Sequence, residues 1–144
     1  MTLPGSAELE NLARIGKLKA EAADPNERAG LLRSASVRLI DAGRTSLALE
    51  SRFDLAYNAA HAAALSALRA HGYRSDNRYL VFQCLAHTLG FGSEKWRVLD
   101  QAHKKRNLAE YEGELDITES FVDELITVVT SLLSAAQVLD VSKH

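Results

Sequence analysis

Phe53-Asp-Leu-Ala-Tyr-Asn-Ala-Ala-His-Ala-Ala-Ala-Leu-Ser-Ala-Leu-Arg-Ala-His-Gly72 reads as helix along its whole length. Alanine is the best helix former, and no proline interrupts the run. With its lead-in from Ser46 the segment holds nine alanines up to His71, and Gly72 stands where a left-handed C-terminal stop belongs. Leu49, Phe53, Ala56, Ala60, Ala63 and Ala67 recur at steps of three and four, so they share one narrow stripe of mostly small side chains. Such a stripe lets a neighbouring helix approach closely. The spacing therefore predicts a long helix packed against others.

The flanking sequence supplies those others. Ala7 to Ala23 reads as a first helix. Asp24-Pro-Asn-Glu27 reads as an N-cap, a proline at the first helical position and a glutamate closing a capping box, with the helix ending near Gly43. Downstream, Arg74-Ser-Asp-Asn77 is a polar turn in which Asp76 or Ser75 caps a helix running to Leu89. Gly90-Phe-Gly-Ser93 breaks the pattern, and Ser93 with Glu94 opens the next helix. Gly113 and Asp116 mark a loop, after which Thr118 caps a final helix through Leu139. Residues 1–6 and 141–144 read as flexible ends. β-Branched residues are sparse and never alternate with polar ones for long, which predicts no strand. The expected fold is all-α, an up-and-down antiparallel helical bundle of four to five main helices. It forms a single domain over residues 1–144, with its core at about 26–139 and helix 7–23 packed on it.

A chain of 144 residues is long enough to bury its own core. Its net charge of -2 argues against binding nucleic acid through bulk positive charge. The charge is unevenly spread: residues 69–106 carry eight Lys or Arg against three Asp or Glu, and residues 107–144 carry one against eight. That asymmetry is either complementary packing of helix faces or an anion-accepting patch. The single Cys84 lies in the apolar run Leu80-Val-Phe-Gln-Cys-Leu85 and reads as a small buried hydrophobe. No apolar run looks long enough for a membrane span of ~20 residues, and Met1-Thr-Leu-Pro-Gly-Ser6 lacks the character of a signal peptide. A cytoplasmic protein with no membrane partner is expected.

The chemistry points to Leu99-Asp-Gln-Ala-His-Lys-Lys-Arg-Asn-Leu-Ala-Glu-Tyr-Glu-Gly113. Leu99, Ala102, Arg106 and Ala109 share a face, so Arg106 sits where an apolar residue belongs. A guanidinium there is costly unless it is paired or lines a polar cleft. Beside it run His103, Arg106, Asn107, Glu110 and Tyr111, each able to hydrogen-bond. Asp54, Asn58 and His61 form a second polar strip on the long helix, from which Asp54 or Asn58 would orient Arg106. The candidate ligand-binding set is thus Arg106, Asn107, Tyr111, Glu110, Asp54, Asn58 and His61. The plain alternative has Arg106 paired with Glu110 near a helix end, Tyr111 burying its ring and His61 satisfied in the core. No metal site or cofactor is expected, because the histidines at 61, 71, 87, 103 and 144 form no pair at helical spacing. Nor is there a nucleophile elbow or a glycine-rich phosphate loop.

Two segments together resemble the HEPN family of small helical-bundle domains. Ala56-Tyr-Asn-Ala-Ala-His-Ala-Ala is similar to that family's A-Y-x-A-A-x-x-A run, and Arg106-Asn-Leu-Ala-Glu-Tyr111 to its R-x-x-A-D/E-Y box. The resemblance spans about residues 26–139. It implies a homodimer whose subunits meet through the faces bearing this box, with Arg106, Asn107 and Tyr111 lining the cleft between them. It further implies work with nucleotides or RNA, either as a ribonuclease toxin or as the non-catalytic partner of a separate minimal nucleotidyltransferase chain in a toxin–antitoxin-like pair. The ribonuclease members carry R-x4-6-H, and here Tyr111 occupies the histidine's place. A phenol with pKa near ~10 is a poor general base. The non-nuclease kind is therefore expected. The alternatives are a nuclease using Arg106 with a displaced histidine (His103 or His61) and Tyr111, or a purely structural dimerisation module with Arg106 in a salt bridge.

Overall fold

Leu49–Ala70 forms one unbroken helix with 14 of its 22 residues buried, and the rest of the chain is arranged around it. The computed structural model describes residues 5–140. In chain order the elements are α1 (Ser6–Arg14), β1 (Lys19–Ala20), α2 (Pro25–Ala42), α3 (Leu49–Ala70), β2 (Tyr73–Arg74), α4 (Arg78–Gln83), α5 (Leu85–Thr88), α6 (Ser93–Glu112) and α7 (Glu119–Val138). The four long helices α2, α3, α6 and α7 make an all-α bundle that runs alternately up and down. The end-to-end contacts set the directions. Arg52 at the start of α3 reaches the Ala42 carbonyl at the end of α2, whereas Arg28 at the start of α2 reaches carbonyls at the end of α7. Lys95 and Lys105 of α6 lie against Ser131 and Phe121 of α7, in reversed order. α3 and α7 consequently run parallel to each other within the bundle.

The small-residue stripe of α3 is buried as its spacing predicts, with Phe53, Ala56, Ala60, Ala63 and Ala67 fully enclosed. Against it pack Ala35 and Ala42 of α2 and Val122, Leu125, Val129, Leu132 and Ala136 of α7. α7 has the length and apolar composition of a membrane-crossing segment, contrary to the expectation that no run reaches that length. Here the stripe Val122, Leu125, Val129, Leu132 and Ala136 faces the core.

Several local expectations are corrected. α1 stops at Arg14 rather than Ala23, because Gly16 turns left-handed (φ 81°) and the Lys17 amide donates back to the Leu12 carbonyl. Beyond it Leu18 is buried, and Lys19–Ala20 pairs antiparallel with Tyr73–Arg74, a two-residue ribbon where no strand was expected. Asp24 caps α2 by accepting from the Asn26 and Glu27 amides, yet Glu27 closes no capping box, its carboxylate being taken by Arg69 and Arg74. Asn77, not Asp76 or Ser75, caps α4. The helix expected to reach Leu89 is interrupted at Cys84, which is buried as predicted, its thiol pKa pushed up to about 11 by that burial. Gly113 (φ 72°) and Thr118, whose hydroxyl accepts from the Phe121 amide, end α6 and start α7 as read. Of the ends expected to be flexible, residues 1–4 and 141–144 lie outside the described residues. Gly5, by contrast, is seated so close to the His87 backbone that a Cβ would collide with it.

Three arginines stitch the bundle. Arg28 donates to the Ala136 and Leu139 carbonyls at 2.7 and 2.5 Å, satisfying the open end of α7. Arg52, almost fully buried, donates to the Ala42 carbonyl at 2.8 Å and to Asp123 at 3.1 Å. Arg69, 2% exposed, donates to Glu27 at 2.6 Å and to the carbonyls of Glu21 and Ala22 at 2.8 and 2.6 Å. It thereby fastens the connection between β1 and α2 to the end of α3. Arg74 adds a second bond to each of Glu21 and Glu27. Hydrogen bonding by Arg74 holds the Glu21 carboxyl below its ordinary 4.5, and hydrogen bonding by Arg69 does the same for Glu27. The stability these two contribute is therefore complete above about pH 4.5 and is lost as pH falls through their lowered values. Arg69→Met keeps the apolar stem but leaves Glu27 with Arg74 alone and takes the donor from the Glu21 and Ala22 carbonyls. It should lower the unfolding free energy in urea by about 2–4 kcal/mol, the cost of two carbonyls left without that donor. An unchanged midpoint would show that this cluster does not hold the fold.

Candidate functional site

α3 presents Tyr57, Asn58 and His61 on the side away from its contact with α2, and α4 and α6 close over them. Tyr57 is 1% exposed, its ring stacked on Phe53 (6.1 Å between centroids) and edge-on to Phe82 (5.7 Å). Its hydroxyl lies 2.9 Å from His103 Nδ1, and one turn along α6 Asn107 Nδ2 lies 3.0 Å from His103 Nε2. The Tyr79 ring packs 5.0 Å from that imidazole while its hydroxyl donates to Asp100 at 2.8 Å. Asp100 also holds Lys104 at 3.0 Å.

Two guanidinium groups stand by the Tyr57 ring. Arg78 Cζ is 5.7 Å and Arg106 Cζ 5.0 Å from its centroid. Arg78 donates to Asn58 Oδ1 at 3.1 Å, and neither arginine lies within salt-bridge distance of a carboxylate among the described residues. The other partly or fully buried arginines, at 28, 52, 69 and 74, all reach carboxylates or helix-end carbonyls. Arg78 and Arg106 do not. A pair of half-buried cations whose charge no carboxylate answers is an arrangement suited to an external anion.

Neutral groups surround these cations. Burial first, then the charge of Arg78, lowers the His61 pKa to about 4. Burial also lowers His103, with Arg106 and Arg78 acting the same way and Asp100 opposing them. Burial raises Tyr57 against the pull of both guanidinium groups. Near neutral pH the site thus holds two positive charges, two uncharged imidazoles and a protonated phenol.

The structure brings together Arg106, Asn107, His103, Asn58 and His61. Arg106 is half-buried on the stripe of Leu99 and Ala102, as its spacing predicts, and resolves the cost of that position by lining a cleft. Its expected orienting partners are corrected. Asn58 gives its carbonyl to Arg78 and its amide to the Asp54 backbone, so it does not hold Arg106. Asp54 and Glu110 instead join Glu50, Phe53 and Leu115 along a groove on the other side of Arg106, with no ion pair to it. The salt bridge required by the structural alternatives is therefore absent among the described residues. Tyr111 is 89% exposed, so its ring is not buried as the plain reading had it. His61 sits edge-on to Phe82 at 6.1 Å.

Arg78 and Tyr79 escaped the sequence reading. They follow directly on the Asn77 cap, where a charged residue looks like ordinary solvated turn, and only α4's packing on α3 and α6 turns them inward. Tyr79 joins a face of α6 formed by Trp96, Asp100 and His103, which share a spacing of three and four. No family model, curated protein or solved structure matches this chain.

The two imidazoles give a direct check on the charge of this cleft. In an NMR titration His61 should stay neutral down to a midpoint near 4. Arg78→Gln should move that midpoint upward, because removing a nearby cation favours the charged imidazole. A His61 midpoint at the ordinary 6.5 would contradict both its burial and the proximity of Arg78.

Proposed function

We propose that this chain is a HEPN-like binding module that takes a phosphate-bearing ligand, a nucleotide or RNA, between Arg78 and Arg106. The observation that carries this is the pair of half-buried guanidinium groups at one tyrosine ring, with no carboxylate within salt-bridge distance of either among the described residues. Arginine presents its donors in a fork that fits phosphate oxygens, and a half-buried position strengthens each contact. The resemblance of Arg106-Asn-Leu-Ala-Glu-Tyr111 to the family's box supports the same place. With it come a cytoplasmic homodimer through this face and, as partner, a separate nucleotidyltransferase chain. The exposed Leu108 and Tyr111, one helical turn apart beside the cleft, favour such a dimer.

A second reading, a metal-independent ribonuclease, has one observation in its favour. The neutral imidazole of His103 lies beside Arg106 and can accept a proton near pH 7. Both of its nitrogens are already engaged, by Tyr57 and Asn107, which favours binding over catalysis.

Thermal melting decides between them. Inorganic pyrophosphate or a nucleoside diphosphate should raise the melting temperature by several degrees at about 100 times its Kd, and Arg106→Ala or Arg78→Ala should each remove the rise. No rise with any phosphate ligand would overturn the binding reading. Degradation of added RNA that disappears in His103→Ala would establish the nuclease instead.

A further inference from the structure

Resting on the phosphate-binding reading, we infer that the ligand group is a terminal phosphoryl with three free oxygens, and that the Tyr57 hydroxyl is its third donor, released by a tautomer change in His103. The hydrogen bonds around His103 allow two complete arrangements. In one, Asn107 Nδ2 donates to Nε2, the ring proton is on Nδ1, and Nδ1–H donates to the Tyr57 oxygen. The phenolic proton then has no acceptor among the described residues, because Nδ1 is the one acceptor within hydrogen-bond distance of the Tyr57 hydroxyl there and the guanidinium groups by its ring accept nothing. In the other, the Asn107 amide is turned over, Nε2–H donates to its oxygen, and Tyr57 donates to Nδ1. That arrangement spends every proton within the protein, so it suits the empty site.

An oxyanion held by Arg78 and Arg106 selects the first arrangement, because only there is the phenolic proton free to donate to it. A ligand shifts such an equilibrium only by binding one state better, and this hydrogen bond is the difference. Tyr57 is the contacting residue; His103 and Asn107 are positioning residues that act through it. Tyr57 is 1% exposed, so the proposed switch requires Arg78 and Arg106, the side chains beside its ring, to turn outward as the anion enters.

The ligand class follows from number and from charge. Two guanidinium forks and one hydroxyl offer at least five donors, which the three free oxygens of a terminal phosphoryl accept more fully than the two unbridged oxygens of an internal diester. On its other side Arg106 opens onto a groove lined by Glu50, Asp54 and Glu110. Three carboxylates there would repel the next phosphates of a polynucleotide, whereas a compact phosphate meets only the arginines.

The test uses the full chain, with inorganic pyrophosphate and a ten-nucleotide RNA bearing 5′- and 3′-hydroxyls as probes. Calorimetry should show pyrophosphate binding at least tenfold more tightly than the RNA, and Tyr57→Phe weakening pyrophosphate by about tenfold or more. Nitrogen-15 NMR of the wild type, which needs no variant, should show the His103 ring proton moving from Nε2 to Nδ1 as pyrophosphate saturates. RNA binding as tightly as pyrophosphate overturns the ligand class. Pyrophosphate binding that Arg106→Ala abolishes, with the His103 tautomer unmoved or Tyr57→Phe unaffected, overturns the Tyr57 switch and leaves the binding reading standing. Failure of pyrophosphate alone overturns the ligand class, and failure of pyrophosphate and the RNA together overturns the binding reading as well.

Discussion

The fold depends on one enclosed cation. Arg69 sits at the C-terminal end of the central helix with its guanidinium out of water, and apart from the Tyr73 carbonyl its hydrogen-bond partners come from the connection that precedes α2 or from the first turn of α2. Enclosing that charge would be prohibitive without Glu27 and the two carbonyls. Conversely, the β1–α2 connection has little apolar surface of its own with which to stay in place. The interaction therefore fixes both where α2 begins and how the short ribbon of Lys19–Ala20 with Tyr73–Arg74 is formed. It also explains why Glu27 abandons its local capping role: a buried guanidinium competes for a carboxylate far more strongly than an exposed backbone amide does.

The same contest explains what was legible in the sequence. Signals settled within a few residues were read correctly: the stripe of α3, the Asp24 and Thr118 caps, and the stop at Gly113. Signals settled by a distant partner were not. Glu27 looks like a capping-box residue until Arg69 arrives from 42 positions away. The ribbon has too few residues to show any alternation, and Gly16 ends α1 by a turn that a single glycine in an otherwise helical run does not announce. The break at Cys84 has neither glycine nor proline to mark it. The site was half legible for the same reason. Arg106, Asn107 and His103 share one helix and were visible through their spacing, whereas Arg78 enters from a short helix whose docking no local pattern records.

Arginine is the common element of scaffold and site, and its partners separate the two. Arg28 and Arg52 answer the unsatisfied carbonyls of helix ends, and Arg69 with Arg74 answers a pair of glutamates. Each finds its partners within the protein, although the buried Arg28 Nε has none among the described residues. Arg78 and Arg106 have the same chemistry and comparable burial, yet what they meet is an aromatic face and an amide. A ring quadrupole stabilises a cation by roughly 0.5–2 kcal/mol without neutralising it. The residual positive potential persists, and its consequence is to add to the burial that chiefly keeps His61 and His103 neutral.

That consequence bears on what Tyr111 means. In the proposed HEPN-like reading a phenol stands where an imidazole would complete a nuclease motif, and Tyr111 projects into solvent. The imidazole that does reach Arg106 comes from the other direction along α6, three residues earlier, and arrives already bonded at both nitrogens. A general base needs a free lone pair aimed at the substrate. A positioning group needs two fixed bonds and a proton it can carry on either side. His103 meets the second requirement, which is the one that the proposed role of holding an oxyanion calls for.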